Sequence, residues 1–289
     1  MTTALAQRLL DRFGPEGVRR PGAAALAGLD LPADTGALIV AAGVPLQVGP
    51  YLAADPEDDW ALGDHTRRHA PALAGYGEER WLRLGGDRGS ELCVAPDGRV
   101  WSVFPASEET PVLVNTTVEA FLDGVADLYS TLGELAAARQ PQEVFALFGR
   151  VESRLRSADL RAFESDESWW PRVLEDVRHT LGVPGRAAFT YRDQRGEEQV
   201  LTAAGSLALH PEEYIWQRLE ASGVRPGDVL EVYTELQACF MPGHYCSLWM
   251  ARTFPEASFT HSFDYGDSAR EREAGVRALA AALTDEPHG

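Results

Sequence analysis

Residues Leu209–Leu219 read LHPEEYIWQRL, and further along Tyr233–Cys246 read YTELQACFMPGHYC. The first stretch starts like a helix. Pro211 falls at the first helical position, where its missing N–H costs no hydrogen bond, and Glu212 and Glu213 suit the positive end of the helix dipole. The second stretch holds Cys239 and Cys246 on either side of a loop containing Pro242–Gly243. The two segments are either a helix cap and a pair of thiols filling a core, or the two halves of a metal site. That choice decides how the second half of the chain is read.

A catalytic zinc takes three protein ligands and leaves one position for water. A His at the start of one helix and two Cys around the start of the next can supply the three. Glu212 lies two residues after His210, so at a helix N-terminus both side chains reach one point in front of the helix. A Glu so placed moves protons without being a ligand, and H-x-E followed by paired cysteines is a zinc-deaminase signature. Cys246 opens a helix, where the dipole and free N–H groups stabilise a thiolate. Pro242–Gly243 lets the intervening loop turn back toward one ion. Alone, HPE reads as an ordinary helix start. The weight lies in the order: two strands, HPE opening a helix, a strand, Cys–loop–Cys opening a helix, a strand.

Working outward, SDESWWPRVLEDVRHTL predicts a helix with Trp170, Val173, Leu174, Val177 and Leu181 on one face. RAAFTYRD and EEQVLTAAG are strands around QRG, VLEVYTEL is a strand, CSLWMARTF is helical, SFTHSFDYG is a strand, and SAREREAGVRALAAAL is the last helix. The order α–β–β–α–β–α–β–α predicts an α/β unit with a mixed sheet flanked by helices.

Residues 166–289 resemble the cytidine-deaminase-like fold, and within it the bacterial toxin-type nucleic acid/nucleotide deaminases. The resembling residues are HPEE at 210–213, YTEL at 233–236, Cys239, Cys246 and SFDYG at 262–266. The resemblance implies Zn2+ held by His210, Cys239 and Cys246, with Glu212 as proton shuttle. It implies that water activated by zinc displaces ammonia from an amino-bearing ring carbon. Two departures stand out. Ala238 replaces the Pro of the Pro-Cys pair, and six residues, not two, separate the cysteines. His244 lies in that loop as an alternative ligand to Cys246, or as a fourth ligand of a structural zinc.

Several residues stay open. Glu235 either supports the site as a hydrogen-bond acceptor or faces solvent. Phe189, Tyr191 and Tyr265 stack a base if they line a pocket, and otherwise fill the core. Glu213 reads as a solvated helix residue. His65 and His69 read as a surface pair, and His179, His261 and His288 as isolated. Trp169–Trp170 staples either two domains or the start of a helix.

The first half has a different pattern. ALAQRLLDRF at 4–13 has helical spacing, and LPADTGALIVAAGVP is a short helix closed by Gly43. WLRLGG, ELCVAPDGRVWSVF and PVLVNTT are strands, with Pro96–Asp97–Gly98 as a hairpin turn. Val118, Phe121, Leu122, Val125 and Leu128 share a helical face after a cap at Asn115–Thr117. This is an α+β domain over 1–160, followed by the zinc domain at 166–289. LPADTGALIVAAGVP, RLGGDRGSELCVAPDGRVWSVF and VNTTVEAFLDGVADL resemble the SUKH superfamily, modules found as bacterial immunity proteins against toxins. The resemblance supplies no catalytic residues and implies a surface that binds a toxin or other protein.

The 289 residues carry a net charge of −18, with 26 basic residues, all of them arginine. That excess argues against a broad phosphate-binding surface, since nonspecific nucleic-acid affinity comes from cations displacing counterions. From residue 185 onward nine arginines face sixteen acids. The charge favours a free nucleoside or nucleotide, or a short single strand held by stacking; the toxin resemblance favours nucleic acid. No apolar run is long enough for a membrane span, the N-terminus lacks a signal-peptide pattern, and three cysteines make no disulfide scaffold. The expectation is a cytoplasmic bacterial protein with no membrane partner. The alternative function is a non-catalytic immunity or interaction protein that keeps the deaminase fold.

Overall fold

The computed structural model describes residues 2–57, 59–70, 78–105 and 110–285. His288 lies outside them. The chain divides into two compact units, Met1–Pro171 and Arg172–Gly289.

In the first unit, α1 (Thr2–Phe13), β1 (Val18–Arg19), α2 (Ala33–Ala42), β2 (Val44–Pro45), β3 (Gln47–Val48), β4 (Leu52–Ala53) and α3 (Leu62–His69) precede the main strands. These are β5 (Leu82–Gly86), β6 (Glu91–Val94), β7 (Val100–Val103) and β8 (Val112–Asn115), followed by α4 (Val118–Ala137) and α5 (Pro141–Ala158). Strands β3 to β8 form one antiparallel sheet in sequence order, as expected of a chain of hairpins. The hairpin turn at Pro96–Gly98 forms as the sequence predicts, with Gly98 at φ 82°. The α4 cap is Thr117, whose hydroxyl accepts from Ala120 N at 3.1 Å. Phe121, Leu122, Val125 and Leu128 are buried on the predicted face.

Helix α6 (Trp169–Gly182) starts in the first unit and ends in the second. Trp169 Nε1 donates to Asp87 at 2.9 Å and Trp170 Nε1 to Asn115 at 2.8 Å, so both indoles are satisfied inside the first unit's core.

The second unit continues with β9 (Arg186–Arg192), β10 (Glu198–Ala204), α7 (Pro211–Ala221), β11 (Val229–Leu236), α8 (Cys246–Thr253), β12 (Ser258–Phe263) and α9 (Ala269–Asp285). This is the element order read from the sequence. The sheet order is β10-β9-β11-β12, with β9 antiparallel to both neighbours and β12 parallel to β11, so the sheet is mixed. Alternation along the strands turns Ala187, Phe189, Val232 and Thr234 to one face. There Phe189 and Val232 join Ile215 and Leu219 of α7 and Met250 of α8 in one core. The core fixes where the N-termini of α7 and α8 stand at the sheet. No helix among the described residues is long and apolar enough to cross a membrane.

Phe189 is fully buried and meets Phe254 edge-on at 5.7 Å. Phe189→Ala is expected to destabilise the second unit by roughly 3–5 kcal/mol, measured as lost hydrogen-exchange protection in β9 and β11. Unchanged protection would show that Phe189 does not anchor that core.

Candidate functional site

Three local devices bring the predicted residues together. The first is the turn before α7. Ala208 is held at φ 53°, and its N–H donates to Thr180 Oγ1 of α6 at 3.2 Å. Gly205 is required just upstream, because a Cβ there would stand 2.5 Å from Pro184 O. His210 then caps α7. Its backbone N–H donates to Glu213 Oε2 at 3.2 Å, the return half of a capping box. The second is the loop between the cysteines. Gly243 takes φ 84°, and Tyr245, buried, takes φ 42°, a left-handed conformation that a non-glycine residue adopts at a cost. The third is a clamp. The Cys239 carbonyl accepts from both the N–H and the hydroxyl of Ser247 at 3.0 Å, tying the strand exit to the start of α8.

The result is convergence on one nitrogen. Cys239 Sγ lies 3.5 Å and Cys246 Sγ 3.4 Å from His210 Nδ1. Zinc bonds of about 2.3 Å to sulfur and 2.0–2.1 Å to nitrogen at a tetrahedral angle would separate such donors by about 3.5 Å. A thiol–imidazole hydrogen bond gives a similar spacing. Among the described residues His210, Cys239 and Cys246 form one group of donors that could hold a metal ion, and Asp176, His210 and His244 form another. The structure thus keeps Cys246 in the cluster despite the six-residue spacing. Glu212 is 4% exposed, lines the adjoining cavity, and its Oε2 has no hydrogen-bond partner among the described residues. A buried orphan oxygen of this kind calls for a function or an unseen partner. The cavity, about 50 Å³, is also bordered by Asp176, His179, Thr180, Arg186, Thr234 and Tyr265.

A second layer lies behind the cluster. Asp176, 1% exposed on α6, accepts from His210 Nε2 at 3.0 Å. Its other oxygen is 3.1 Å from His244 Nε2. His244 is fully buried, pairs through Nδ1 with Glu213 Oε2 at 2.8 Å, and stacks on His210 with ring centres 3.8 Å apart.

The electrostatics follow from burial and these pairings. Burial alone favours a neutral Asp176, but the two imidazoles outweigh it and hold the carboxyl well below its usual range. Burial disfavours charge on His244, yet Asp176 brings it up to about 9. His210 is likewise raised against its burial by Cys239 and Asp176. Without a metal, burial pushes both thiols up, but the Cys246 hydrogen bond and His210 hold Cys239 well below the thiol range, while Cys246 goes well above it. The pair shares one proton.

Sequence expectations change for Glu213, His179 and His65, and the structure places the residues left open. Glu213 is not solvated; it is 7% exposed and holds His244. His244 lies with Asp176 and His210, its ring stacked on that of His210, in a second group of donors that could hold a metal ion. His179 is not isolated; it borders the cavity, with Nδ1 2.9 Å from the Tyr265 hydroxyl. Glu235 is not at the cavity, because alternation along β11 turns it away from Thr234 and Leu236, which are. Phe189 is core, whereas Tyr265, 6% exposed, borders the cavity. His65 and His69 lie side by side on α3 with rings tilted by 35°, and His65, 14% exposed and 3.4 Å from Glu91, is not a surface residue. Asp176 was missed altogether. A carboxylate in mid-helix, far from HPE in sequence, carries no local signal.

Two family models match successive parts of the chain, meeting between residues 176 and 182, a few residues past the Pro171 division. A family described as SUKH-4 immunity protein matches residues 4–176. A family described as Xanthomonas-like deaminase matches residues 182–282. No curated protein and no solved structure matches the chain.

Burial pushes the Glu212 carboxyl from its ordinary value of 4.5 up to about 7. The folded state therefore binds this proton more tightly than the unfolded chain. In metal-free protein the cost of ionising it is absent below the unfolded value, grows as pH rises, and is complete above the folded value. Glu212→Gln is expected to stabilise the chelated protein by about 2–3 kcal/mol at pH 8, with the gap closing at acid pH. Equal denaturation midpoints at pH 8 would contradict that burial cost.

Proposed function

The chain belongs to the SUKH-4 immunity protein family and carries a deaminase-family domain after it; from that premise and the site geometry we propose that the second unit is a zinc-dependent hydrolytic deaminase. Its substrate is a nucleobase in a nucleotide, a nucleoside or a single-stranded nucleic acid. The observation that carries this reading is the shared nitrogen, His210 Nδ1 facing two sulfurs, with the unpartnered Glu212 beside it. The mixed sheet of order β10-β9-β11-β12, with helices between its strands, supports the same reading.

His210, Cys239 and Cys246 would hold the ion. When bound, zinc supplies Lewis acidity that brings the ionisation of water toward neutral pH. Glu212 Oε2 is the proton carrier. It takes a proton from water and returns it to the departing amine. The cavity, about 50 Å³, has room for a few waters beside Glu212. Arg186 is the one arginine among the described residues bordering it, and it offers a cation to a substrate phosphate. SUKH-4 membership favours a protein partner for the first unit, in a bacterial toxin–immunity setting. The acidic chain, at −18, suits a basic partner surface.

The test is zinc content beside ammonia release on a panel of nucleosides, nucleotides and single-stranded oligonucleotides. Wild type is expected to hold about one zinc per chain. Cys239→Ala loses it, Glu212→Gln keeps it, and both lose ammonia release by at least about 100-fold. A metal-replete wild type without zinc would sink the catalytic reading and leave a binding protein.

A further inference from the structure

Resting on the zinc reading above, we infer that Asp176 is the positioning residue for the His210 ligand, and that the long loop between the cysteines exists in part to bring His244 in as the clamp on Asp176. Helix α6 supplies this carboxylate from before residue 182, where the deaminase-family match begins.

The geometry follows in three steps. A metal-binding imidazole must present a lone pair on one nitrogen, and this is fixed by where the other nitrogen's proton is held. In this site the proton-holding acceptor is Asp176 Oδ1, 3.0 Å from His210 Nε2. That leaves the Nδ1 lone pair facing both sulfurs. Second, Asp176 must itself be kept in place. Its Oδ2 lies 3.1 Å from His244 Nε2, so the carboxylate is gripped at both oxygens by imidazoles. Third, His244 has carboxylates at both nitrogens, Asp176 at Nε2 and Glu213 at Nδ1. Nδ1 is hydrogen-bonded to Glu213, and Nε2 faces Asp176 as an ion-pair contact, so both sides of the ring are occupied by carboxylates. Its face lies against His210 at 3.8 Å with 6° between planes, which blocks rotation of the ligand ring.

Glu213 closes the arrangement from α7. The same oxygen that takes His244 Nδ1 takes the backbone N–H of His210. The ligand's backbone and its ring are thus held by one connected set of charged groups. A two-residue spacing between the cysteines would leave no room for His244. An Asn at 176 could accept from one imidazole but would present an N–H to the other.

The experiment is zinc affinity of the full-length chain by competition with a chromophoric chelator, for wild type, Asp176→Asn, His244→Gln and the double variant. Thermal melting of the chelated proteins checks that each is folded. Asp176→Asn is expected to weaken zinc binding about 10–100-fold, and His244→Gln by a smaller factor in the same direction. Because His244 acts through Asp176, the double variant should be no weaker than Asp176→Asn alone; two independent structural losses would multiply. Wild-type affinity in Asp176→Asn overturns the inference while leaving the zinc reading intact. So do multiplying losses, or a His244→Gln that abolishes zinc while Asp176→Asn keeps it, which would make His244 a ligand. A wild type that holds no zinc overturns both. If Asp176→Asn does not fold, His244→Gln decides: unchanged affinity there overturns the inference.

Discussion

A carboxylate buried to 1% exposure cannot stand alone, since an unpaired ion in a protein interior costs several kcal/mol. Asp176 is held charged by two imidazoles, one from the N-cap of α7 and one from the loop before α8. The second unit is organised around that constraint. Helix α6 must approach closely enough to deliver the carboxylate. The turn before α7 must be tight enough to aim His210, hence Gly205 and the left-handed Ala208. The cysteine loop must be long enough to reach back with His244, hence Gly243 and the strained Tyr245. Strain at one buried tyrosine is tolerable because charge pairing and the clamp on Cys239 O over-determine the loop.

The sheet contributes a rigid base for these approaches. Its antiparallel β9 and parallel β12 flank β11, so the strand that runs toward Cys239 is paired along both sides. Its inward face alternates from core to site: Val232 packs with Phe189 and Ile215, and two residues on, Thr234 borders the cavity. Core and site share one face of one strand. The same alternation decides the fate of Glu235, which points away.

Much of this was legible in the sequence, and what was not has a physical reason. His210, Glu212, Cys239 and Cys246 could be read because helix starts have a local grammar: Pro at the first position, acids in the first turn, a turn glycine before Cys246. The order of strands and helices in the second unit was legible from periodicity for the same reason. Glu213 was misread because an acid in the first turn serves the dipole equally well exposed or buried; only its distant partner His244 separates the two cases. Asp176 was illegible because its role depends on two residues that lie next to it only after folding. In the first unit, α5 escaped the helical pattern because Phe145 is 77% exposed while Leu147, Val151 and Leu155 turn inward. An apolar residue on the wrong face hides the stripe.

The two layers of the site differ in what they ask of charge. In the front layer Glu212 has an unpartnered oxygen, and burial raises its carboxyl to about 7. In the back layer burial opposes charge, but Asp176 is held ionised by His244 and His210, and His244 is held protonated by Asp176. A site built only of satisfied groups would be stable and inert, while one built only of orphans would not stay assembled. Placing the fixed pairs behind His210 and the orphan in front of it lets the same imidazole be immobile on its Nε2 side and available on its Nδ1 side. The added length of the cysteine loop follows from that division, because the cation that fixes the back layer has to enter between the two sulfurs in sequence without joining them in space.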